Sequence, residues 1–341
     1  MNKNVLVVGG AGYIGSHMVL ALADAGFSPV VFDNLSRGFA DAVSGAPLFV
    51  GDLRSADDLD RCFREYTIDL VMHFAALAYV GESVYEPELY YQNNVVGALN
   101  LLAAMRRNSV DKFVFSSTCA TYGEPTRTPI AETHVQQPIN PYGRTKLMIE
   151  QALHDYATAY GLKSISLRYF NAAGCDPKQR AGERHDPETH LIPLVLAEAF
   201  RLKCGGDPVK TNLEMFGSDW PTPDGACVRD YIHVEDLCRA HLLAAERLLD
   251  GSIVKDAEAY NLANGVGFSV IEVVDSCRRV TGQPIEYKAM PRREGDPAIL
   301  VGDARLAFET LGWMPRFSEL DPIIQTAWDW MCGRSDLAGR I

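Results

Sequence analysis

The sequence predicts an α/β protein: a Rossmann-like, doubly wound parallel sheet followed by a smaller C-terminal α+β lobe. Three observations predict it. Short β-branched runs alternate with longer helical patterns through the first half of the chain. A glycine-rich turn joins the first run to the first helical pattern, and after Asn171 the texture changes to Pro- and Gly-rich loops between separated helical stretches. Alternating strands and helices are satisfied by a parallel sheet whose right-handed crossovers put helices on both faces. With 341 residues and 47% hydrophobic content the chain can bury the cores of two such units. The expected division is 1–170 and 171–341, with some exchange of chain between the two.

Taken in order, the strand-like runs lie at 5–8, 30–32, 48–50, 70–74, 113–116 and 164–168. Each is short, and most are rich in β-branched and aromatic residues, as strands of a parallel sheet are. Apolar residues at helical spacing fill 12–26, 57–66, 87–108 and 142–160 between them, and recur at 193–202, 234–249, 270–281 and 320–331 in the second half. The stretches 175–187 and 217–225 read as loops. No internal repeat is present, and the functional site is expected where the two halves meet.

The formal charge of −12, from 44 acidic against 32 basic residues, argues against nucleic acid and anionic membranes as partners. Any anionic ligand must meet a local basic pocket. The apolar stretch at the N-terminus is too short for a signal peptide, and the longest nearly apolar run, 70–80, is too short to span a bilayer. A cytoplasmic protein is expected. The eight cysteines form no CxxC pair and no zinc-finger spacing, so reduced thiols and no metal site are expected.

Gly9-Gly10-Ala11-Gly12-Tyr13-Ile14-Gly15 follows the first strand and opens the first helix. Glycines at 9, 12 and 15 allow a backbone turn tight enough to approach a pyrophosphate, whose charge the helix N-terminus then meets. Asp33 ends the second strand about 20 residues on, where the fingerprint places an acid for ribose hydroxyls. A carboxylate there would repel a 2′-phosphate, so NAD is expected rather than NADP, with nearby Arg37 the one feature pointing the other way. Asp52, in Gly51-Asp52-Leu53, has two readings of equal weight: an adenine contact or an ordinary helix N-cap.

Tyr142 and Lys146 stand four residues apart at the start of a helical segment, which puts both on one face. A free phenol titrates near pH 10, so Tyr142 can act as a general base near neutrality only beside positive charge. Lys146 and an oxidised nicotinamide would supply it. Thr118 closes the strand Phe115-Ser116-Ser117-Thr118 at the sheet's carboxyl edge, where it can share a proton with a substrate hydroxyl and the phenolate. A hydroxyl satisfied by its own turn is the alternative.

With these residues in place, the sequence resembles the UDP-glucose 4-epimerases of the extended short-chain dehydrogenase/reductase family, nearly end to end. The resemblance is carried by 9–17, Asp33-Asn34-Leu35, His73-Phe74-Ala75-Ala76, Val80-Gly81-Glu82-Ser83, 116–123, 142–146, 168–171, 228–234, Tyr260-Asn261-Leu262 and 292–296. It implies an NAD site containing Gly9, Gly12, Tyr13, Ile14, Gly15, Asp33, Asn34, Asp52, Leu53, Phe74, Ala75, Ala76, Asn93, Ser116, Tyr142, Lys146 and Tyr169. It implies a UDP-sugar site containing Thr118, Tyr142, Asn171, His190, Leu191, Phe216, Arg229, Arg293, Asp296 and Leu300. Arginines at 229 and 293 suit a diphosphate on an acidic protein, with structural ion pairs as the alternative. Thr118, Ala78 and His190 depart from the commonest family pattern, which has Ser, Lys and Asn there. A homodimer packed through 87–108 and 142–160 is also implied, although apolar stripes on those helices suit an intrachain core equally.

The resemblance implies an isomerase: NAD-dependent oxidation at C4, rotation of the 4-keto sugar, and hydride return. A nucleotide-sugar dehydratase would need carboxyl groups where Cys119 and Ala120 stand. A catalytically silent NAD-binding regulator would not need the Tyr–Lys pair. Leu300, four residues after Asp296, is expected to limit the sugar pocket and disfavour N-acetyl groups, or to be a core residue of a strand at 299–301.

Overall fold

The computed structural model describes residues 3–43, 45–292 and 297–334. The chain runs β1 (Asn4–Val8), α1 (Tyr13–Asp24), β2 (Ser28–Asp33), β3 (Leu48–Val50), α2 (Ala56–Glu65), β4 (Leu70–His73), α3 (Val80–Tyr85), α4 (Pro87–Tyr90), a π-helical turn (Tyr91–Val96), α5 (Gly97–Arg107), β5 (Lys112–Thr118), α6 (Pro141–Tyr160) and β6 (Lys163–Tyr169). It continues with β7 (Asn171–Ala173), α7 (Leu191–Lys203), β8 (Glu214–Phe216), β9 (Val228–Arg229), β10 (Tyr231–His233), α8 (Val234–Leu249), β11 (Ala257–Leu262), β12 (Phe268–Ser269), α9 (Val270–Thr281), β13 (Lys288–Met290), β14 (Ile299–Leu300), α10 (Arg305–Leu311) and α11 (Leu320–Gly333).

Seven strands form one parallel sheet in the order β11-β6-β5-β4-β1-β2-β3. All six sequence-predicted strands are in it. The order reverses at β1, which pairs with β2 on one side and β4 on the other, creating a crevice at the carboxyl edge where ligands bind in open α/β sheets. Along β1, Val5 and Val7 enter one core with Met18 and Leu22 of α1 and Leu237 of α8. Leu6 and Val8 enter the opposite core with Leu59 of α2, Leu101 of α5 and Leu153 of α6. Strand alternation between two covered faces is the reason the run reads as continuously apolar.

The seventh strand departs from a simple division near 170. β11 pairs in register with β6, Ala257 opposite Ser164 and Leu262 opposite Tyr169, and α8 packs beside α1. α8 is built for its place: His233 caps it, Glu235 and Asp236 lie in its first turn and Arg247 in its last. A separate core gathers Ile192 and Val195 of α7, Val273 and Cys277 of α9 and Ile323 and Trp328 of α11. Three small sheets accompany it: β10-β7, β12-β9-β14 and β13-β8.

Candidate active site

The turn after β1 is shaped by close backbone approach. A Cβ on Gly15 would lie 2.1 Å from the Gly9 carbonyl oxygen, and one on Gly9 2.4 Å from the Ala75 nitrogen. Gly12 differs, since a Cβ there meets only the Gly9 oxygen at 3.5 Å, an ordinary contact. The fold alone therefore leaves room for a side chain at Gly12, in front of the N-terminus of α1. That helix has no side-chain cap and no acidic residue in its first turn. Unsatisfied N–H groups facing open space suit a diphosphate, so these residues fit NAD.

Asp33 steadies the same turn, its carboxylate accepting the Ala11 N–H at 2.9 Å and the Leu35 N–H at 2.8 Å, while burial raises its pKa. Asp52 is not the N-cap of α2; Ser55 is, accepting the Asp58 N–H. Asp52 instead holds Arg54 through two contacts, at 2.9 and 2.7 Å, and receives Asn34 Nδ2 at 3.1 Å. Arg54 keeps its carboxyl well below the usual range. Leu53 is buried against Gly97, and Ile14 is partly buried against the sheet core. The Tyr13 hydroxyl donates to the Gly174 carbonyl at 2.6 Å, so its side chain ties α1 to the second half of the chain.

The Phe74 and Ala75 N–H groups both donate to Val8 O, setting the loop that continues to Ala76 across the switch point. Asn93 lies in the π-helical turn and donates to its neighbour Asn94. Asn94, which the sequence reading passed over, clasps Leu77 through both its N–H and its carbonyl, at 2.9 and 3.0 Å, and reaches Thr145 of α6. A π-turn is a recurrent device for re-aiming side chains at a site.

Tyr142 sits in the first turn of α6, which Asn140 caps and Pro141 starts. A Cβ on Gly143 would lie 2.5 Å from Ala120 O, so glycine lets this helix press against the short 3₁₀ turn Cys119–Tyr122. Tyr142 is thereby brought to Thr118. The Thr118 Oγ1 accepts the Ala120 N–H at 3.1 Å, which leaves its own proton to donate. The hydrogen bond within its own turn is thus present, and it does not use the Thr118 hydroxyl proton. Lys146 is 3% exposed; its Nζ donates to Ser116 O at 2.8 Å and lies 6.0 Å from the centre of the Tyr142 ring.

Burial pulls Lys146 down to about 7, opposed by Glu150. Burial also pushes Tyr142 above its ordinary value, with Tyr169 adding and a hydrogen bond to Thr118 opposing. The sequence expectation has Lys146 and an oxidised nicotinamide supply the positive charge together, and burial weakens the lysine's share of it. In both groups burial works against the charged form.

Beneath the pair lies a network that the sequence reading largely missed. Glu150, one turn after Lys146, is gripped by Arg168 of β6 at 3.0 and 2.5 Å and by Ser117 and Gln136. Arg168 passes on to the Tyr122 hydroxyl, which donates to Asn261 of β11. His241 of α8 donates from Nδ1 to Leu237 O at 2.8 Å, so neutral His241 accepts the Ser116 hydroxyl at Nε2, 3.1 Å away. Burial holds this imidazole down to about 4. Its ring lies 4.8 Å from Phe74 and 6.4 Å from Tyr169, two of the residues expected around the nicotinamide.

On the substrate side, Asn171 donates from its side chain to Asp230 O, and Arg229 of β9 donates to Val228 O and Pro297 O, both at 2.9 Å. Leu300 stands opposite Arg229 in the β9–β14 register and packs on the cluster of Cys119, Tyr122, Ile130 and Phe170. It is thus a partial core residue beside the turn that follows Thr118. Phe216 ends β8 and Leu191 opens α7. His190 turns its Nδ1 to Glu188 and Glu183, at 2.9 and 3.2 Å, so only Nε2 remains for a diphosphate. Arg293 and Asp296 lie outside the described residues. Asp230, also missed, is fully buried and receives the N–H groups of Asn264, Gly265 and Gly302; burial raises its carboxyl to about 6.

Residues 5–263 match the model of the NAD dependent epimerase/dehydratase family. A UDP-glucose 4-epimerase of Halalkalibacterium halodurans is 49% identical over 328 residues, 96% of this chain and 95% of that protein. The crystal structure of a UDP-glucose 4-epimerase from Brucella ovis in complex with NAD is 50% identical, with a TM-score of 0.89 over 96% of this chain and 98% of that one. A Bifidobacterium longum UDP-glucose 4-epimerase in complex with NAD+ and UDP is 35% identical, with a TM-score of 0.89 over 98% and 99%.

Proposed function

Given that the chain belongs to the NAD dependent epimerase/dehydratase family, we propose that it interconverts UDP-glucose and UDP-galactose. The observation that carries this reading is the meeting of Thr118, Tyr142 and Lys146 at the carboxyl edge of the sheet, beside the uncapped N-terminus of α1. NAD, which the turn 9–15 and the N-terminus of α1 would hold, would supply reversible hydride chemistry at C4 and positive charge beside the buried Tyr142–Lys146 pair. Tyr142 takes the proton of the 4-hydroxyl and gives it back, and Thr118 donates to the same oxygen. Lys146 holds the charge near the phenolate while Ser116 O fixes its position. His241 and Glu150 hold the parts in place from below.

A cofactor held in one fixed orientation would serve a single side of the site, so inversion would require the keto sugar to turn about its link to UDP. Binding energy must then be placed on UDP, remote from C4. Arg229 and Arg293 on the diphosphate, with Asn171, Leu191 and Phe216, are the proposed grip, and 171–341 supplies most of this lobe. A dehydratase is disfavoured by Cys119, whose buried thiol is pushed up to about 12, and by Ala120.

The proposal includes a role in galactose metabolism and a cytoplasmic homodimer. Exposed Leu89, Val96, Leu99, Met148 and Tyr160 on the neighbouring α4–α6 elements support the dimer, while Leu101, Leu102 and Met105 of α5 serve the intrachain core. Eight unpaired cysteines suit a reducing compartment, and no helix among the described residues is long and apolar enough to cross a membrane. The purified protein should convert UDP-galactose to UDP-glucose without added cofactor and release NAD on denaturation. Stoichiometric consumption of added NAD would instead identify a dehydrogenase.

A further inference from the structure

Between the cofactor turn and α7, the segment 183–190 folds four metal-ligating side chains onto one another. Glu183, His185, Glu188 and His190 have ligand atoms within 4.8 Å of one another. The histidine–carboxylate separations are 3.3 Å for His185 Nδ1 to Glu183, 3.4 Å for His185 Nδ1 to Glu188, 3.2 Å for His190 Nδ1 to Glu183 and 2.9 Å for His190 Nδ1 to Glu188. Four ligands around a tetrahedral zinc ion at about 2.0–2.1 Å stand roughly 3.3 Å apart. The histidine–carboxylate edges are already near that length, and the full set of ligand atoms, spread within 4.8 Å, would close further on an ion.

Two further features separate this cluster from a chance meeting of surface charges. The carboxylate side chains are only 6% and 10% exposed, so two shielded anions face the same two imidazoles, while the more open His190 gives the cluster a route to solvent. Glu188 is also pre-oriented, its Oε1 receiving the backbone N–H of both Thr189 and His190 at 2.8 Å. Ligands aimed by hydrogen bonds from outside the coordination sphere are a feature of working metal sites.

We propose that Glu183, His185, Glu188 and His190 bind one divalent transition-metal ion of the zinc type, as a structural staple for the loop that leads into α7. Two nitrogens and two carboxylate oxygens suit zinc, and four protein ligands leave no open position of the kind a catalytic zinc keeps. The staple sits where the second half of the chain is fastened to the first. The His185 ring packs edge-on against Tyr13 at 6.0 Å and Tyr79 at 6.3 Å. Tyr79 donates to Pro187 O, Arg37 to Asp186 O, and Arg184 pairs with Asp41. Fixing the loop would fix the start of α7, which carries Leu191. The expectation that the chain has no metal site rested on its cysteine pattern, which this histidine–glutamate set does not enter.

Tag-free full-length protein, stripped with chelator and then titrated with zinc sulfate, tests this by elemental analysis after gel filtration and by competition with a chromophoric chelator. The expected result is about one zinc per chain, with affinity at least about 100-fold weaker in His185→Ala and in Glu183→Gln, since loss even of an outer-shell partner costs 10–100-fold. Cobalt(II) added to the stripped wild type should give the intense visible bands of tetrahedral coordination, a readout independent of how the variants fold. Substoichiometric zinc with no tetrahedral cobalt spectrum would overturn the proposal, as would an affinity that both variants leave unchanged. In that case the cluster is held by protons on its histidines alone.

Discussion

The two ends of the proposed ligand site are built differently. At the cofactor end, around β1, β2 and β4, the surfaces offered to a ligand are mostly backbone: the turn 9–15, the uncapped N–H groups of α1 and the loop after β4. Side chains such as Asp33 and Asn94 work behind them, steadying main chain. At the substrate end, around β7, β9 and β14, strands of two or three residues deliver side chains, and Asn171, Arg229 and Leu300 come from segments far apart in sequence. The contrast suits the chemistry proposed: the cofactor stays fixed between half-reactions, whereas the sugar must turn. A backbone cradle would serve the first, and side chains drawn from separate segments to grip UDP would serve the second.

The largest effect is expected where the two ends meet. Tyr142→Phe should lower turnover by roughly 10²–10⁴-fold, the range for losing a general base, while folding and UDP binding persist. Lys146→Ala should behave similarly. Stopped-turnover assays beside UDP titrations check this, and near-normal turnover in Tyr142→Phe would show that the base has been misassigned.

The cofactor end is sharpened by comparing two glycines. Gly15→Ala places a Cβ 2.1 Å from a backbone oxygen and should destabilise the protein by about 2 kcal/mol or more. Gly12→Ala meets only an ordinary contact, so its unfolding should stay within about 0.5 kcal/mol of wild type while retained NAD falls sharply. Urea melts of cofactor-stripped protein and NAD content after gel filtration separate the two. Equal stability losses would break the argument that Gly12 is there for the ligand.

At the substrate end, Asp230→Ala should cost on the order of 3 kcal/mol, because three N–H groups, that of Gly302 buried, lose a fully buried acceptor. Thermal unfolding checks it, and a change below about 0.5 kcal/mol would mean that water or rearrangement replaces the carboxylate. The smallest effect concerns selectivity. Wild type should prefer UDP-glucose and UDP-galactose, with Leu300→Ser raising and Leu300→Tyr lowering activity on UDP-N-acetyl sugars relative to hexoses. An unchanged ratio across the three proteins would leave Leu300 as a core residue only.

The same contrast explains what could be read from the sequence. Six strands of the sheet and the glycine turn were legible because parallel strands and backbone cradles leave local signatures, apolar runs and fixed glycine spacing. β11 was not, since Ala257–Leu262 carries Glu258 and Asn261 within a short, mixed pattern and earns its place by pairing with β6. Tyr142 and Lys146 share one helix and could be paired by spacing. Their supports could not: Arg168 reaches Glu150 from another element, and His241 reaches Ser116 across 125 positions. Asn94 stood beside a residue that was singled out, but only the π-turn reveals which of the two clasps the loop. His190 matched a family position, yet its engagement with Glu183 and Glu188 appears only once the loop is folded.

In the proposed reaction one hydride leaves C4 and returns to the same carbon without exchange. UDP-galactose deuterated at C4, incubated with purified protein in ordinary water without added NAD, tests it most directly by mass and NMR analysis of the UDP-glucose formed. Full retention of deuterium at C4 is expected. Product that has exchanged its C4 label with solvent hydrogen would contradict it.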